Sequence, residues 1–404
     1  MNRARVVLLA LLFVLSWITY LDRAAISTSK ELVAADLALS DQAMGFVFGA
    51  FALGYAIAQV PAGWFADRVG PRLALAAVVT GWSLLTALTG AATGLVSMVA
   101  VRFLFGIAEA GAFPGCARAF YNWLPSEQHG RANGVIFSGA RLGAALSFPI
   151  LAFIMTAFGW RGAFFALCVP GILWAAVWLL WFRDQPPGGA AASEPSERDD
   201  VRLAEVFRSR PMLLAMGQYF ASNFTFFICL SWMHPYLMSH YRLSRERAAW
   251  FSMIVLLIGA TAQWLAGYLV DRLYRSRLRQ HSRRIPAVTG FALSAIGLAA
   301  VSLTSTPEAG VACFALATFG AEMTISPSWA FCIDVGRKKS GAVSGSMNMI
   351  GNFGSFVSAS VFPVMNRLTG DAMAYFFTAA ALNVAAAAVW FAMKADRAGR
   401  RTPA

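Results

Sequence analysis

The sequence predicts an all-α membrane protein with twelve transmembrane helices arranged as two related six-helix bundles. Three observations predict it. The 404 residues are 58% hydrophobic and 13% charged, against about 45–50% apolar and about 25% charged in an average soluble domain. The apolar residues fall in runs of about 20, the length that crosses a bilayer. One polar stretch divides these runs into two sets, and the two sets repeat each other.

The expected spans cover residues 5–28, 42–66, 72–91, 95–121, 131–156, 160–182, 212–238, 246–270, 285–304, 308–331, 341–366 and 371–394. The basic start and the apolar run behind it imitate a signal peptide. The run continues through Trp17 to Tyr20, Asp22 and Arg23 with no clean small-residue cleavage site, so it reads as the first helix. The longest polar stretch, 183–210, contains Pro186, Pro187, Gly188 and Gly189 and a charged run at 194–200, the composition of a linker. The expected organisation is an N-terminal bundle at 1–182, a cytoplasmic linker at 183–211, a C-terminal bundle at 212–394 and a cytoplasmic tail at 395–404.

The net charge of +13 invites a nucleic-acid reading, which the placement of the charges excludes. They sit in short clusters between apolar runs, as in the cytoplasmic loops of membrane proteins. With the N-terminus inside, 24 Lys and Arg fall in or beside cytoplasmic segments and 6 in outer ones, and the loop at 271–284 alone holds six arginines. Both termini and the linker are therefore expected in the cytoplasm. Cys116, Cys168, Cys229, Cys313 and Cys332 all lie in apolar runs with no CxxC pair, which reads as small buried hydrophobes. The four histidines are scattered, so no metal site is expected. No nucleophile–base pattern points to an enzyme. The linker and tails are too short to fold into a signalling domain.

The repeat is specific. Gln59-x3-Gly63-x3-Asp67-Arg68 ends the second span, and Gln263-x3-Gly267-x3-Asp271-Arg272 ends the eighth, 204 residues later. Glu109-x4-Pro114 in the fourth span is echoed by Glu322-x4-Pro327 in the tenth, each behind a Phe-Gly pair (Phe105-Gly106 and Phe319-Gly320). Duplicated six-helix halves with a site between them are a transporter architecture.

Residues 63–72, Gly63-Trp64-Phe65-Ala66-Asp67-Arg68-Val69-Gly70-Pro71-Arg72, resemble the loop 2–3 signature of the major facilitator superfamily. Gly63 permits close helix packing, Gly70 permits the turn, and Arg68 and Arg72 hold the loop in the cytoplasm. Asp67, at a helix end, can meet the positive N-terminus of a neighbouring helix. The resemblance implies a conformational latch made of Gly63, Asp67, Arg68, Gly70 and Arg72, with Asp271 and Arg272 as its repeat. Within the superfamily the chain is similar to the anion:cation symporter family, which includes D-galactonate, hexuronate and glucarate transporters and is related to sialin. That similarity rests on Tyr20-Leu21-Asp22-Arg23 and on the run from Arg102 through Glu109 to Pro114. Phe158-Gly159-Trp160-Arg161 and Ser231-Trp232-Met233-His234-Pro235-Tyr236 support it. It implies a monomeric proton-coupled symporter importing a small organic anion, a sugar acid or other carboxylate, by alternating access. The proton is the coupling ion, and no cofactor is implied. An anion exchanger or exporter without net proton symport would use the same helices.

A charge at mid-membrane costs about 2.5–3.5 kcal/mol on insertion scales, so Asp22, Arg23, Arg102 and Glu109 call for a role. Arg102 and Glu109 are seven apart, on one helix face and about 10 Å from each other. Tyr20 and Arg23, three apart, are also neighbours on a face. A planar guanidinium grips a carboxylate with two parallel hydrogen bonds, and Arg23 is the first choice for the substrate anion. A buried carboxylate is pulled towards its neutral form by desolvation and towards its charged form by a nearby cation, which makes Asp22 and Glu109 the candidate proton carriers. A structural salt-bridge network is the competing reading for all four. The resemblance adds Tyr55 as a substrate-facing tyrosine and Asn352, with Asn348 as its alternative, as a polar contact in the C-terminal half. Asn223 could bind substrate hydroxyls. Arg141 stands in a neighbourhood where D-galactonate transporters carry a glutamine, a departure that suits a dicarboxylate or another anion needing a second cation. Snorkelling or a salt bridge is the alternative for Arg141, and Glu322 is open between a titrating group and a partner for a basic residue.

Overall fold

The structure is a computed structural model that describes residues 3–186 and 203–393. Most of the expected linker (187–202) and the tail beyond residue 393 lie outside the described residues. The regular structure is helical throughout the described residues. In chain order it runs α1 (Arg3–Thr28), α2 (Lys30–Asp36), α3 (Asp41–Val69), α4 (Pro71–Gly90), α5 (Leu95–Glu109), α6 (Ala112–Trp123), α7 (His129–Trp181), α8 (Leu203–Arg208) and α9 (Arg210–Phe227). It continues with α10 (Met233–His240), α11 (Arg245–Tyr274), α12 (Arg284–Val301), α13 (Pro307–Met323), α14 (Ile325–Gly336), α15 (Ser340–Thr369) and α16 (Met373–Ala392). Among the described residues, nine helical stretches are long and apolar enough to cross a membrane. One of them, 307–369, joins two expected spans.

The helix breaks have local causes. Proline removes a backbone donor and clashes with the carbonyl four residues earlier. Pro114 disturbs the turn at Ala110, which separates α5 from α6, and Pro327 does the same at Met323, between α13 and α14. Each break falls directly behind the glutamate of the repeat, Glu109 or Glu322. A π-helical turn at Ile228–Trp232 precedes Pro235 in the same way. Gly159, with φ +67°, kinks the long α7 between the expected spans 131–156 and 160–182. Ser40 caps α3 by accepting from Ala43 N at 3.2 Å, and Ser244, 204 residues later, caps α11 by accepting from Arg247 N at 3.3 Å. The repeat thus extends to the helix starts.

The chain divides into two compact units. The first comprises Met1–Pro125, Gly139–Ser196 and Gly336–Gly345; the second comprises Ser126–Ser138, Glu197–Val335 and Ser346–Ala404. Each unit thus takes one short segment from the other half of the chain. The core of the first includes Leu21, Met44, Met98, Leu151, Trp160 and Phe164. The core of the second is built around Phe224, Phe314, Tyr375 and Phe376. Both cores sit beneath helices whose opposite faces carry exposed Leu, Val and Phe, such as Leu53, Leu104, Val177, Ile296 and Phe391, as expected of surfaces turned to lipid.

Candidate functional site

The site in the first unit starts from a close backbone approach. A Cβ on Gly106 of α5 would collide with the Phe51 carbonyl of α3, and a Cβ on Gly54 of α3 would collide with the Phe103 carbonyl of α5. Two glycines facing opposite ways let α3 and α5 touch backbone to backbone. This contact sets Phe51 and Tyr55 beside Arg102 and Glu109. A second approach, Gly139 and Gly143 of α7 against Phe13, Ser16 and Trp17 of α1, brings Arg141 beside Tyr20.

Glu109 is fully buried, and its Oε1 accepts from Arg23 Nε at 2.5 Å. The Arg23 guanidinium lies over three aromatic rings, with Cζ 4.5 Å from the Tyr55 centroid, 5.1 Å from Tyr20 and 5.4 Å from Phe51. Such faces attract a cation and hold its plane. Arg23 Nη2 and Glu109 Oε2 are buried with no hydrogen-bond partner among the described residues. Arg102, also buried, lies over Phe105 at 4.2 Å and Phe51 at 5.1 Å. It stays within electrostatic reach of Glu109 and Asp22. Phe51 is therefore shared by two guanidiniums. Arg141 donates from Nη1 to the Tyr20 hydroxyl at 3.5 Å, with Cζ 5.9 Å from that ring.

Asp22 takes a different direction. It is 1% exposed, and its Oδ2 accepts from Trp82 Nε1 of α4 at 3.1 Å. Its Oδ1 has no partner among the described residues. Neighbouring positions on a helix point about 100° apart, so Asp22 and Arg23 face different helices. Asp22 remains in electrostatic reach of Glu109 and Arg102. The expected cluster of two acids and two guanidiniums is present, with pairings that spacing along the chain does not reveal. Trp82, Phe51 and Phe105 were not anticipated. Phe51 carries one available signal: it lies one turn before Tyr55 on the same face.

In the second unit Asn223 donates to Tyr219 O of its own helix at 3.0 Å, and Asn352 donates to Asn348 O at 2.8 Å. Both amides are turned onto backbone carbonyls one helical turn earlier. Glu322, buried, accepts from Gln263, whose side-chain oxygen accepts from Ser326 at 3.4 Å. Glu322 thus meets a neutral amide, whereas Glu109 meets an arginine.

The repeated acids at the ends of α3 and α11 make matching contacts. Asp67 accepts from Gly341 N at 2.9 Å and Ala342 N at 2.8 Å, the first turn of α15, within the first unit. Asp271 accepts from Gly130 N at 3.0 Å and Arg131 N at 3.2 Å, the first turn of α7, within the second unit. Each carboxylate thus meets two unsatisfied N–H groups at a positive helix end. Gly63 and Gly341 make this possible by mutual backbone contact. Arg68 and Arg272 do not join the contact. Arg68 lies over Trp64 at 5.2 Å, and Arg272 donates to Tyr268 at 2.7 Å. Arg72 donates to Leu179 O at 2.6 Å, its backbone N–H meets Asp184 Oδ1 at 2.9 Å, and Gly70 turns the chain at φ +85°. A further cluster was not anticipated: Asp334 accepts from Arg283 at 3.1 Å and lies 3.2 Å from His129 Nδ1.

Comparison with known proteins identifies the family. A sequence profile described as the Major Facilitator Superfamily matches residues 12–359. A probable sulfoacetate transporter of Cupriavidus necator is 31% identical, over 96% of this chain and 94% of its own. A hexuronate transporter of Bacillus subtilis is 30% identical, over 92% of this chain and 90% of its own. The solved proton:xylose symporter superposes with a TM-score of 0.74 at 16% identity, covering 95% of this chain and 94% of its own, a likeness that shows the fold. The matched region runs from the first helix into α15 and takes in both repeated signatures, and the chain accordingly belongs to the major facilitator superfamily, as a multi-pass membrane transporter.

Proposed function

We propose that this transporter is a proton-coupled symporter importing a small organic anion by alternating access. The observation that carries the proposal is the Arg23–Glu109 pair in its aromatic cage, with one guanidinium nitrogen and one carboxylate oxygen unpartnered among the described residues. A substrate carboxylate can take the guanidinium edge that Glu109 holds, because the two anions compete for the same donors. Displaced from its cation in a buried site, Glu109 is stabilised by accepting a proton. Anion binding and proton binding then favour each other, which is the linkage that symport requires. Asp22, held by Trp82 and electrostatically tied to Glu109 and Arg102, is the second proton carrier. Tyr20 and Tyr55 flank the anion. Arg102, against Phe51 and Phe105, balances the acids. Sulfoacetate and hexuronate, named for the two relatives, are both organic anions.

Asp67 and Asp271 act as latches that hold one conformational state through the helix ends they cap. The protein acts as a monomer in the bacterial inner membrane, with both termini in the cytoplasm. The test is uptake in proteoliposomes of labelled galacturonate, gluconate and succinate under an inward proton gradient, with Arg23→Ala beside the wild type. Accumulation lost on collapsing the gradient and in the variant is the expected result. Flux that ignores the gradient but requires anion on the far side would make the protein an exchanger and return Asp22 and Glu109 to structural roles.

A further inference from the structure

The loop between α11 and α12 sorts its arginines into two kinds. Residues 272–285 hold Arg272, Arg275, Arg277, Arg279, Arg283 and Arg284 and no acid. The last two work inside the fold. Arg283 is buried against Asp334 and Ser126 O, and Arg284 ties α12 to the end of α16 through Trp390 O at 3.0 Å and Met393 O at 3.2 Å. The first four are exposed. Arg272 donates to the Tyr268 hydroxyl at 2.7 Å and Arg279 to the Tyr274 hydroxyl at 2.8 Å, and each lies over the same ring, 5.8 and 4.5 Å from its centroid. A neutral phenol orients a guanidinium without cancelling its charge. Arg275 stands 3.9 Å from Glu127, an exposed pair that solvent screens. The backbone between is a fixed turn, in which Ser276 accepts from Leu278 N at 3.1 Å and Ser282 donates to Arg279 O at 2.7 Å. Along α11, exposed Leu257, Ile258, Trp264 and Leu265 lead up to Tyr268. Trp264, Tyr268 and Arg272 are spaced four apart and share one face. Trp and Tyr gather where acyl chains give way to headgroups, so Arg272, one turn or about 6 Å further on, stands at headgroup level.

We propose that this face of the second unit docks an anionic phospholipid, with an acyl chain along α11 and the phosphate at Arg272, Arg275 and Arg277. The proposal is independent of the symport reading. The rule that orients membrane proteins asks only for positive charge on one side. It leaves the positions of the guanidiniums open and asks for no phenol beside them. Here the order along α11 is apolar stripe, phenol, guanidinium, which is the order of acyl chain, ester region and phosphate in a lipid. Clusters of four or more arginines next to a membrane helix attract anionic lipid, and guanidinium suits phosphate because its planar fork matches two phosphate oxygens. A zwitterionic headgroup brings its own cation, which four neighbouring arginines repel. Leu278, 47% exposed among the arginines, adds an apolar contact for the same occupant.

The experiment titrates the full-length protein in uncharged detergent with phosphatidylglycerol or phosphatidylcholine and counts bound lipid by native mass spectrometry. Melting temperatures verify folding. The variant is Arg272→Gln/Arg275→Gln/Arg277→Gln, and the count-matched control is Arg3→Gln/Arg208→Gln/Arg210→Gln, at three exposed arginines elsewhere. The expected result is that phosphatidylglycerol binds about tenfold or more tightly than phosphatidylcholine, that the loop variant loses this preference and that the control keeps it. Where the triple variant fails to fold, Arg277→Gln alone, at an exposed loop position, should weaken phosphatidylglycerol binding several-fold. Three outcomes would overturn the proposal. Equal binding of the two lipids in wild type would show no anionic preference. Equal loss of preference in the control would show an effect of overall charge. Displacement of phosphatidylglycerol by an equal concentration of soluble glycerol phosphate would show an anion site in which the acyl chain has no part.

Discussion

Glu109 closes α5, and its carboxylate accepts the Nε–H of Arg23 from α1. The pair joins the residue chosen for the substrate to a residue chosen for the proton, so the two ligands share one contact. The helix break behind Glu109, set by Pro114, fixes where that carboxylate stands. The aromatic rings of Tyr20, Phe51 and Tyr55 fix the plane of the guanidinium.

Removing either partner should have different consequences. Arg23→Ala leaves Glu109 buried without its cation and removes the substrate grip. Truncating one partner of a buried hydrogen-bonded charge pair costs about 2–5 kcal/mol, so transport should fall to background. Glu109→Gln keeps size and polarity but cannot carry a proton. Gradient-driven accumulation should vanish, while exchange of labelled for unlabelled anion persists. Counterflow in vesicles preloaded with anion measures the difference, and accumulation retained in Glu109→Gln would remove it from the coupling path.

Trp82 should matter through Asp22 alone. Its Nε1–H donates to a buried carboxylate, and Trp82→Phe leaves a ring in place while deleting that donor. An orphaned buried acceptor costs about 1–3 kcal/mol. The expected outcome is a lower ratio of protons to anions moved, with KM for the anion changing little. Simultaneous recording of vesicle pH and labelled anion reads this ratio. A loss of anion affinity with coupling intact would place Trp82 at the substrate instead.

The sequence reading reached the helices and the capping role of Asp67 for physical reasons. Apolar runs of bilayer length leave few alternatives, and an acid at a helix end has an obvious partner in a helix N-terminus. It did not reach the partner of Glu109. Arg102 shares its helix face, but two turns of helix hold them about 10 Å apart, and the cation that meets Glu109 comes from another helix. Periodicity within one segment carries no information about which segment packs beside it. Trp82 was missed for the same reason. Arg68 and Arg272, grouped with the latch by motif, lie against Trp64 and Tyr268 on their own helices, while Asp67 and Asp271 meet backbone N–H groups, which have no sequence signature, and Asp271 also pairs with the Arg131 guanidinium at 3.6 Å.

The glycine contact between α3 and α5 gives a test of what positions the site. Gly106→Ala would place a methyl group against the Phe51 carbonyl, where only backbone movement can relieve it. Overpacking of this kind costs about 1–3 kcal/mol, and the displaced Phe51 and Tyr55 should weaken anion uptake in molecules that do fold. Gly45→Ala is the control. It lies in α3, the partner helix of the contact, with nothing within 4 Å of the added Cβ, and it should raise stability slightly, by about 0.5–1 kcal/mol. Melting temperatures in detergent separate the two, and equal behaviour would mean that α3 and α5 have room to part.

The two latches make the sharpest kinetic prediction. Asp67→Asn and Asp271→Asn preserve shape and remove the charge that faces the first turn of α15 or α7. A carboxylate at a helix N-terminus is worth about 0.3–1 kcal/mol when exposed and up to about 2 kcal/mol when partly buried. A shift of one to two kcal/mol changes a two-state balance by a factor of about 5–30. Turnover should therefore fall several-fold in each single variant, while KM for the anion moves much less, since neither acid lies at Arg23. The acids contact the starts of separate helices, so the free-energy effects of the double variant should add. Initial rates over a range of anion concentrations supply both constants. Loss of affinity in proportion to loss of turnover would show that these acids support the binding site and do not set the balance between conformations.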